Sequence, residues 1–290
     1  MLFETSMIDL APRTLLDNLL ERSKEIRTAC GEADMIWRIW GPEVPERPPL
    51  VLLHGGFGAW NHWVRNIPVW EKDYQLVVAD LPGCGDSASL PRPYDAEDLA
   101  TIVSAGIDSA VPENKPFDLV TFSFGGVISG LIAHKQVRRI RSLTLIGSPV
   151  LGLTGTGPAN DLTVVRPDLP VQEAAPLHRL NLQKLMVCDP DAADDLALTI
   201  QLENMSKARL RSRGIARSMV LAESLRNLPC QLNCIFGDAD VTLDPDLASV
   251  RAYVEDVNPN VAFHVLPDIG HWAQYEAADT VNELLPRLIG

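Results

Sequence analysis

The chain has 290 residues, of which 46% are hydrophobic and 22% are charged. These proportions are ordinary for a globular protein and exclude a disordered chain, a coiled coil and a small disulfide-rich fold. With 38 acidic and 25 basic side chains the net charge is −13, so the basic surface that binds nucleic acid or anionic lipid is not expected. The longest mainly apolar run, Leu119–Ala133, is shorter than the roughly 20 residues of a membrane helix and predicts a buried segment.

Cysteine and histidine usage predicts a cytoplasmic protein without disulfides, metal or other cofactor. The five cysteines form an odd set without a C-x-x-C pair, which is typical of reduced thiols. No two of the six histidines have the spacing of a zinc site. Glu4 and Asp9 stand where a signal peptide would have a basic stretch leading into an apolar one, so none is expected. The expected partner is a small-molecule substrate, and self-association is left open.

The first predicted elements are a helix and a β-hairpin. Leucines on one face predict a helix over about Pro12–Ser23. Side chains alternate over Ile26–Cys30 and again over Met35–Trp40, with a turn between them, which predicts two paired strands. The proline-rich stretch 41–49 then reads as an exposed connection.

The next predicted strands are short, continuously apolar and separated by segments long enough for helices. This rhythm indicates an α/β fold with a mostly parallel sheet flanked by helices. The strands are Leu50–Leu53, Gln75–Ala79, Phe117–Thr121, Ser142–Ile146, Gln231–Phe236 and Ala262–Leu266. A last helix is predicted from about Gln274.

The strand rhythm stops between Pro149 and Leu228, which predicts an inserted helical cap. Helix-breaking residues interrupt the start of this stretch: Gly152, Gly155, Gly157, Pro158, Pro167, Pro170 and Pro176. A helical segment is predicted from about Asp189, because Asp189-Pro190 supplies a cap and a first-turn proline. The resulting division is a core of residues 1–150 and 226–290 and a cap of residues 151–225.

The segment Thr121–Gly126, with the sequence TFSFGG, lies where a predicted strand meets a helix. A serine at such a turn has an exposed hydroxyl on a strained backbone, which is typical of the nucleophile in the pattern G-x-S-x-G. Thr121 stands where that pattern has its first glycine. The alternative is a junction in which Ser123 only caps the helix, and the hexapeptide alone does not decide between the two.

Two further segments favour the nucleophile. His54–Gly58 follows a predicted strand, and the N–H groups of Gly56 or Phe57, together with that of Phe124, are candidates to bind an oxyanion. His271 lies in a predicted loop before the last helix. A serine hydroxyl needs such a base, because it is a weak nucleophile near neutral pH.

The third catalytic residue is expected among the acids that follow the strand Gln231–Phe236. Any of these acids keeps the chain order serine, acid, histidine. The spacing of Gly237 and Asp240, which resembles the G-x-x-D of the α/β-hydrolase superfamily, selects Asp240. Asp238 and Asp244 remain alternatives. In this role the acid orients the histidine and stabilises its protonated form.

From about Glu25 to Gly290 the sequence resembles the α/β-hydrolase superfamily. Five segments carry the resemblance: the HGG turn at His54–Gly56, Asp80–Ser87, the serine segment, Gly237–Asp240 and Gly270–Trp272. Within the superfamily the segment Gly270–Glu276 is similar to that of the meta-cleavage product hydrolases, which split a carbon–carbon bond in ring-opened aromatics. The resemblance implies a helical cap and a Ser–His–Asp triad.

Candidate substrate-binding residues lie near the base and in the cap. Trp272 is next to His271 and is a candidate pocket wall. Arg209, Arg213 and Arg217 are four residues apart, so one helical face would carry all three if Gly214 does not end the helix. Such a face is either a clamp for a substrate carboxylate or, as we favour, a solvated surface.

These observations predict an enzyme that hydrolyses a carboxylic ester of a small apolar or aromatic substrate. The alternative is hydrolysis of a carbon–carbon bond in a ring-opened aromatic, for which a cap arginine matching that family's carboxylate clamp is not located. A second alternative is a non-hydrolytic use of the fold, as a small-molecule receptor or a cofactor-free oxygenase. The complete set Ser123, Asp240 and His271 favours hydrolysis, because a receptor needs no nucleophile.

Overall fold

A computed structural model describes residues 12–43, 46–153, 161–166 and 168–290. Within these residues the fold is built on one eight-stranded sheet with the order β1-β2-β4-β3-β5-β6-β7-β8. The strands are β1 (Lys24–Cys30), β2 (Ala33–Trp40), β3 (Leu50–Leu53), β4 (Leu76–Ala79), β5 (Phe117–Phe122), β6 (Ile140–Ile146), β7 (Gln231–Gly237) and β8 (Ala262–Leu266). β2 runs antiparallel to β1 and β4, and the other neighbours are parallel. The predicted hairpin and mostly parallel sheet are confirmed.

Helices cover the sheet and form the segment inserted between β6 and β7. They are α1 (Pro12–Glu21), α2 (Ile67–Trp70), α3 (Ala96–Ala110), α4 (Phe124–Lys135), α5 (Val171–Leu185), α6 (Asp195–Lys207), α7 (Arg213–Ala216), α8 (Val220–Ser224), α9 (Leu247–Val257), α10 (Ala273–Glu276) and α11 (Ala278–Ile289). Short 3₁₀ turns lie at Trp60–Trp63 and Pro190–Ala192. In the described residues, no helix combines the length and apolar character that crossing a membrane demands.

Alternate side chains of the central strands enter two hydrophobic cores. Val51 and Leu53 of β3 pack with α3, α4 and α9 on one face of the sheet. Leu50 and Leu52 pack with α1, α2 and α11 on the other face, where α5 and α6 also join the packing. Because every residue of β3 is buried, the strand reads as a continuous apolar run in the sequence.

The inserted segment differs from its prediction in two helices. α5 was not predicted, because Pro170 and Pro176 read as helix breakers; Pro170 instead precedes its first residue and Pro176 lies inside it. The buried face at Ala174, His178 and Leu182, spaced by four residues, holds the helix together despite the bond that a proline removes.

The second difference is the start of α6. Asp189 caps only a 3₁₀ turn, in which its carboxylate accepts a hydrogen bond from Asp191 N. The helix begins six residues after the predicted position, where the Asp194 carboxylate accepts from Ala197 N at 2.8 Å. Glu4, Asp9, Gly155, Gly157, Pro158 and Pro167 lie outside the described residues.

Candidate active site

Ser123 lies at the sharp turn between β5 and α4. Its backbone angles are φ 50° and ψ −113°, a conformation that costs a non-glycine residue about 1–3 kcal/mol. The strain is held by neighbouring strands, because Ser123 N donates to Ile146 O at 3.0 Å. The side chain is partly exposed while most of its surroundings are buried, as the sequence pattern predicts for a nucleophile.

The two glycines after the serine allow the turn to form. A Cβ on Gly125 would lie 2.8 Å from Leu53 O, and one on Gly126 would lie 2.0 Å from Ser148 Oγ. Thr121, in place of the usual first glycine, is fully buried, and its hydroxyl donates to Thr144 O of β6 at 3.3 Å. The threonine is therefore accommodated as part of the sheet.

A continuous chain of hydrogen bonds joins the serine to a histidine and an acid. His271 Nε2 lies 2.9 Å from Ser123 Oγ, and His271 Nδ1 lies 2.8 Å from the Asp240 carboxylate. His271 is 5% exposed and Asp240 is 6% exposed. The low exposure strengthens the electrostatic interaction between them.

The two alternative acids do not take this position. Asp238 is exposed, and its carboxylate accepts from Asp268 N at 2.7 Å. Asp240 instead follows β7 at the carboxyl edge of the sheet, where the parallel strands bring it to the serine turn. Asp244 takes part in neither the hydrogen bond between His271 and Ser123 nor the one between His271 and Asp240.

Thr242 is a fourth residue of this hydrogen-bonded group, and the sequence analysis did not predict it. Its N–H and its hydroxyl both donate to one oxygen of Asp240, at 2.8 and 2.7 Å. The hydroxyl also lies 3.0 Å from His271 Nδ1. Thr242 thus holds the carboxylate so that its other oxygen faces the histidine. The sequence signal for this role was a hydroxyl residue two positions after the acid.

The glycine-rich turn after β3 lies against the serine. A Cβ on Gly55 would be 3.2 Å from Ser123 Cβ, and one on Gly56 would be 3.7 Å from Phe124 Cβ. Phe57 has a left-handed backbone with φ 57°. Within the described chain, no group accepts a hydrogen bond from the N–H of Gly56, Phe57 or Phe124. Phe124 N is also at the positive end of α4, so the unpaired donors suit a developing negative charge.

His54 braces this turn from the core. Its Nε2 accepts from Leu81 N at 2.9 Å, so Nδ1 carries the proton and donates to Gly55 O at 2.7 Å. The ring is fully buried, and burial lowers the pKa of His54, which keeps it neutral.

The chain matches the model of the alpha/beta hydrolase family over residues 50–284. The protein belongs to this family. A 2-hydroxy-6-oxononadienedioate/2-hydroxy-6-oxononatrienedioate hydrolase of Paraburkholderia phymatum is 28% identical, over 83% of this chain and 86% of the relative. This similarity confirms the predicted resemblance to the meta-cleavage product hydrolases.

Two further proteins are similar to this chain, one in sequence and one in structure. The dihydrolipoyllysine-residue acetyltransferase component of the acetoin cleaving system of Pseudomonas putida is 29% identical over 81% of this chain. The chain spans only 61% of that relative's length. The naproxen esterase of Bacillus subtilis superposes with a TM-score of 0.76 at 19% identity, covering 99% of this chain and 100% of that one. At this identity the likeness concerns the fold alone.

The loop that carries the hydrolase's His271 is tied to the inserted segment. Trp272 N donates to Met186 O at 2.6 Å, just beyond α5. One Glu276 oxygen accepts from Cys188 N and Asp189 N at 2.8 and 2.6 Å, and the other accepts from Gly270 N at 2.7 Å. The sequence analysis did not assign Glu276 a role, although it closes the Gly270–Glu276 motif.

Trp272 is placed by packing. Its side chain is 1% exposed and stacks on Tyr275 with ring centroids 4.1 Å apart. Its indole N–H donates to His62 O at 3.1 Å. The predicted pocket wall is therefore covered in this conformation of the hydrolase.

The predicted helical face of arginines is wrong. α6 ends at Lys207, because Arg209 N and Leu210 N leave the helix and donate to Gly83 O at 2.7 and 3.0 Å. α7 begins only at Arg213. The three arginines therefore do not share one helix.

The arginine side chains also have different surroundings. The Arg209 guanidinium donates to Ser87 O at 2.6 Å and to Ser89 Oγ at 3.3 Å, so it fastens a core loop. Arg213 is exposed, and within the described residues only its backbone oxygen is bonded, accepting from Arg217 N at 3.1 Å, while its guanidinium has no partner. Between α6 and α7, the Ser212 hydroxyl would lie 3.6 Å from a Cβ on Gly56 of the glycine-rich turn.

Proposed function

We propose that this alpha/beta hydrolase uses Ser123 as a nucleophile to hydrolyse carboxylic esters of small apolar or aromatic substrates. One observation carries the proposal: the hydrogen-bonded chain Ser123–His271–Asp240 lies beside the unpaired N–H groups of the two turns. A structural serine needs neither a base at its hydroxyl nor unpaired donors beside it.

In the proposed reaction Ser123 Oγ attacks the ester carbonyl while His271 Nε2 takes its proton. The carbonyl oxygen becomes an oxyanion, which the N–H groups of Phe124 and of Gly56 or Phe57 bind. Each such donor is typically worth about 3 kcal/mol of transition-state stabilisation. Collapse releases the alcohol with the proton from His271 and leaves an acyl-serine.

The second half of the reaction repeats these steps with water. His271 takes a proton from the water that attacks the acyl-serine, and returns it to Ser123 Oγ when the carboxylic acid leaves. Asp240, held by Thr242, keeps the imidazole in one tautomer and stabilises the imidazolium. The cycle consumes one ester and one water, and it needs no cofactor.

Carbon–carbon bond hydrolysis is the second candidate, favoured by the similarity to the Paraburkholderia phymatum hydrolase. That reaction releases a carbon leaving group that must be held as an enol-type anion, which calls for a cation beside the substrate. Arg209 is engaged with Ser87 O and Ser89 Oγ, so the clamp expected in the cap is not available from it. An ester releases an alkoxide that His271 can protonate directly, and we therefore prefer the ester.

Steady-state rates with short aryl esters and with a ring-opened 2-hydroxy-6-oxo-dienoate test the proposal. We expect a higher kcat/KM for the best aryl ester and labelling of Ser123 by a fluorophosphonate. A far higher kcat/KM for the dienoate, lost in Arg213→Ala, would establish the second candidate. An unlabelled Ser123 and no turnover of either substrate would favour the receptor or oxygenase alternative.

A further inference from the structure

His62 is a buried histidine that the proposed reaction does not use. It lies in the 3₁₀ turn Trp60–Trp63 and is 4% exposed. Its ring contacts those of His54, Phe122 and Trp272, with centroids 6.0, 5.5 and 5.0 Å away. Its burial excludes a role at the protein surface. The contacts place His62 between the glycine-rich turn and the His271 loop.

The ring of His62 also reaches the backbone of that turn. Gly55 N donates to His62 Nδ1 at 3.3 Å. The same ring occupies the space that a side chain at position 58 would need, since a Cβ on Gly58 would lie 2.3 Å from His62 Cε1. The turn is therefore shaped around this imidazole.

Two histidines thus hold the two peptide planes that meet at Gly55. His62 holds the plane before it through Gly55 N, and His54 holds the plane after it through Gly55 O. The second plane also carries the N–H of Gly56, which points opposite to Gly55 O in a trans peptide. Each plane also has one backbone bond, since Gly125 N donates to His54 O and Gly58 N donates to Gly55 O, both at 3.1 Å. Glycine rotates more freely than any other residue about its two backbone bonds, so the two imidazoles add a second restraint on each plane and thus on the direction of the Gly56 N–H.

We propose that His62 is a positioning residue for the oxyanion hole, setting the direction of the Gly56 N–H group through its bond to Gly55 N. The inference rests on the proposed function, since it assigns no contact between His62 and the substrate. A misdirected donor binds an oxyanion poorly, because hydrogen bonds weaken steeply as they bend. The bond requires an unprotonated Nδ1, and burial, with His54 and His271 nearby, holds the pKa of His62 well below its ordinary value.

Two substitutions of His62 distinguish the loss of its hydrogen-bond acceptor from the loss of its packing. His62→Phe keeps an aromatic ring but removes the acceptor, whereas His62→Asn can offer its Oδ1 near the position of Nδ1. With p-nitrophenyl butyrate we expect His62→Phe to lower kcat by about 10- to 100-fold with little change in KM, since oxyanion donors act in the transition state. His62→Asn should recover most of the kcat. The matched control is His264→Phe, a half-buried histidine of the edge strand β8, and it should keep the wild-type kcat.

Equal kcat in His62→Phe and the wild type would overturn the inference, as would equal losses in His62→Phe and His62→Asn. If His62→Phe does not fold, nitrogen NMR of the wild type decides: we expect a neutral His62 ring protonated at Nε2, and a proton on Nδ1 would overturn the inference. A wild type that hydrolyses no ester and leaves Ser123 unlabelled contradicts the proposed function itself. An active wild type matched by His62→Phe contradicts only the role of His62.

Discussion

The two halves of the candidate site are held in different ways. Ser123 and its neighbouring donors are fixed by main-chain bonds within the core, such as Ser123 N to Ile146 O and Gly125 N to His54 O. The loop of His271 is fixed partly by the inserted segment, through Met186 O and through Glu276, whose carboxylate joins Gly270 N to Cys188 N. Displacement of the inserted segment would therefore disturb the base and leave the nucleophile in place.

The largest expected effect comes from removing either the nucleophile or the base. Ser123→Ala and His271→Ala should each lower kcat/KM by about 10⁴- to 10⁶-fold, because each removes a partner in the same proton transfer. The double variant should be little worse than either single one. The measurement is ester hydrolysis with circular dichroism to verify the fold, and losses that multiply in the double variant would contradict a shared role.

Asp240→Asn should be the next most damaging change, lowering kcat by about 10³- to 10⁴-fold. The amide presents the wrong hydrogen-bonding group to His271 Nδ1 or to Thr242, both of which contact the carboxylate. Asp238→Asn is the matched control, since Asp238 is exposed and contacts Asp268 N. Comparison of kcat for the two variants is decisive, and the reverse ranking would move the acid to Asp238.

Glu276→Gln tests the external support of the base. A glutamine cannot accept bonds from N–H groups at both ends of its amide, so the link between Gly270 N and the Cys188–Asp189 backbone is broken on one side. We expect kcat to fall about tenfold and the unfolding free energy to fall by about 1–3 kcal/mol. Kinetics and urea denaturation measure the two effects.

The control for that change is Glu283→Gln, which removes an exposed ion pair with Arg287. Such pairs contribute about 0.5 kcal/mol or less. Equal effects of the two substitutions on kcat would show that the Glu276 carboxylate does not support the base.

Thr121→Gly should have the smallest effect on activity. The serine turn would gain the glycine usual at that position, so kcat should stay near the wild-type value. The lost hydrogen bond to Thr144 O and the freer backbone should lower the unfolding free energy by about 1–2 kcal/mol. Thr121→Ser, which keeps the hydroxyl, is the comparison in thermal melting. A complete loss of activity in Thr121→Gly would give the threonine a role beyond the sheet.

The core half of the site was readable from the sequence because each of its two turns is a short local motif. The glycines around Ser123 and the HGG turn are demanded by local backbone geometry, and a local pattern records them. The parallel strands were readable because they are buried on both faces, which leaves continuous apolar runs.

The other half depended on contacts between distant segments. Glu276 meets Cys188 N from 88 positions away, and no spacing rule predicts that pair. α5 was missed because its stability comes from burying one face, which outweighs its internal proline. The arginines were placed on one helix because their spacing fitted, whereas the backbone bonds to Gly83 O end that helix earlier.

The closeness of Gly58 and His62 constrains how sequences of this turn can vary. Any side chain at position 58 meets the imidazole at 2.3 Å, so single substitutions there are incompatible with an intact turn while His62 is present. A smaller residue at position 62 would open that space but would also remove the imidazole ring. Substitutions at position 58 are therefore expected to be viable only together with a smaller residue at position 62, and a mutant library samples them only when both codons are randomised together.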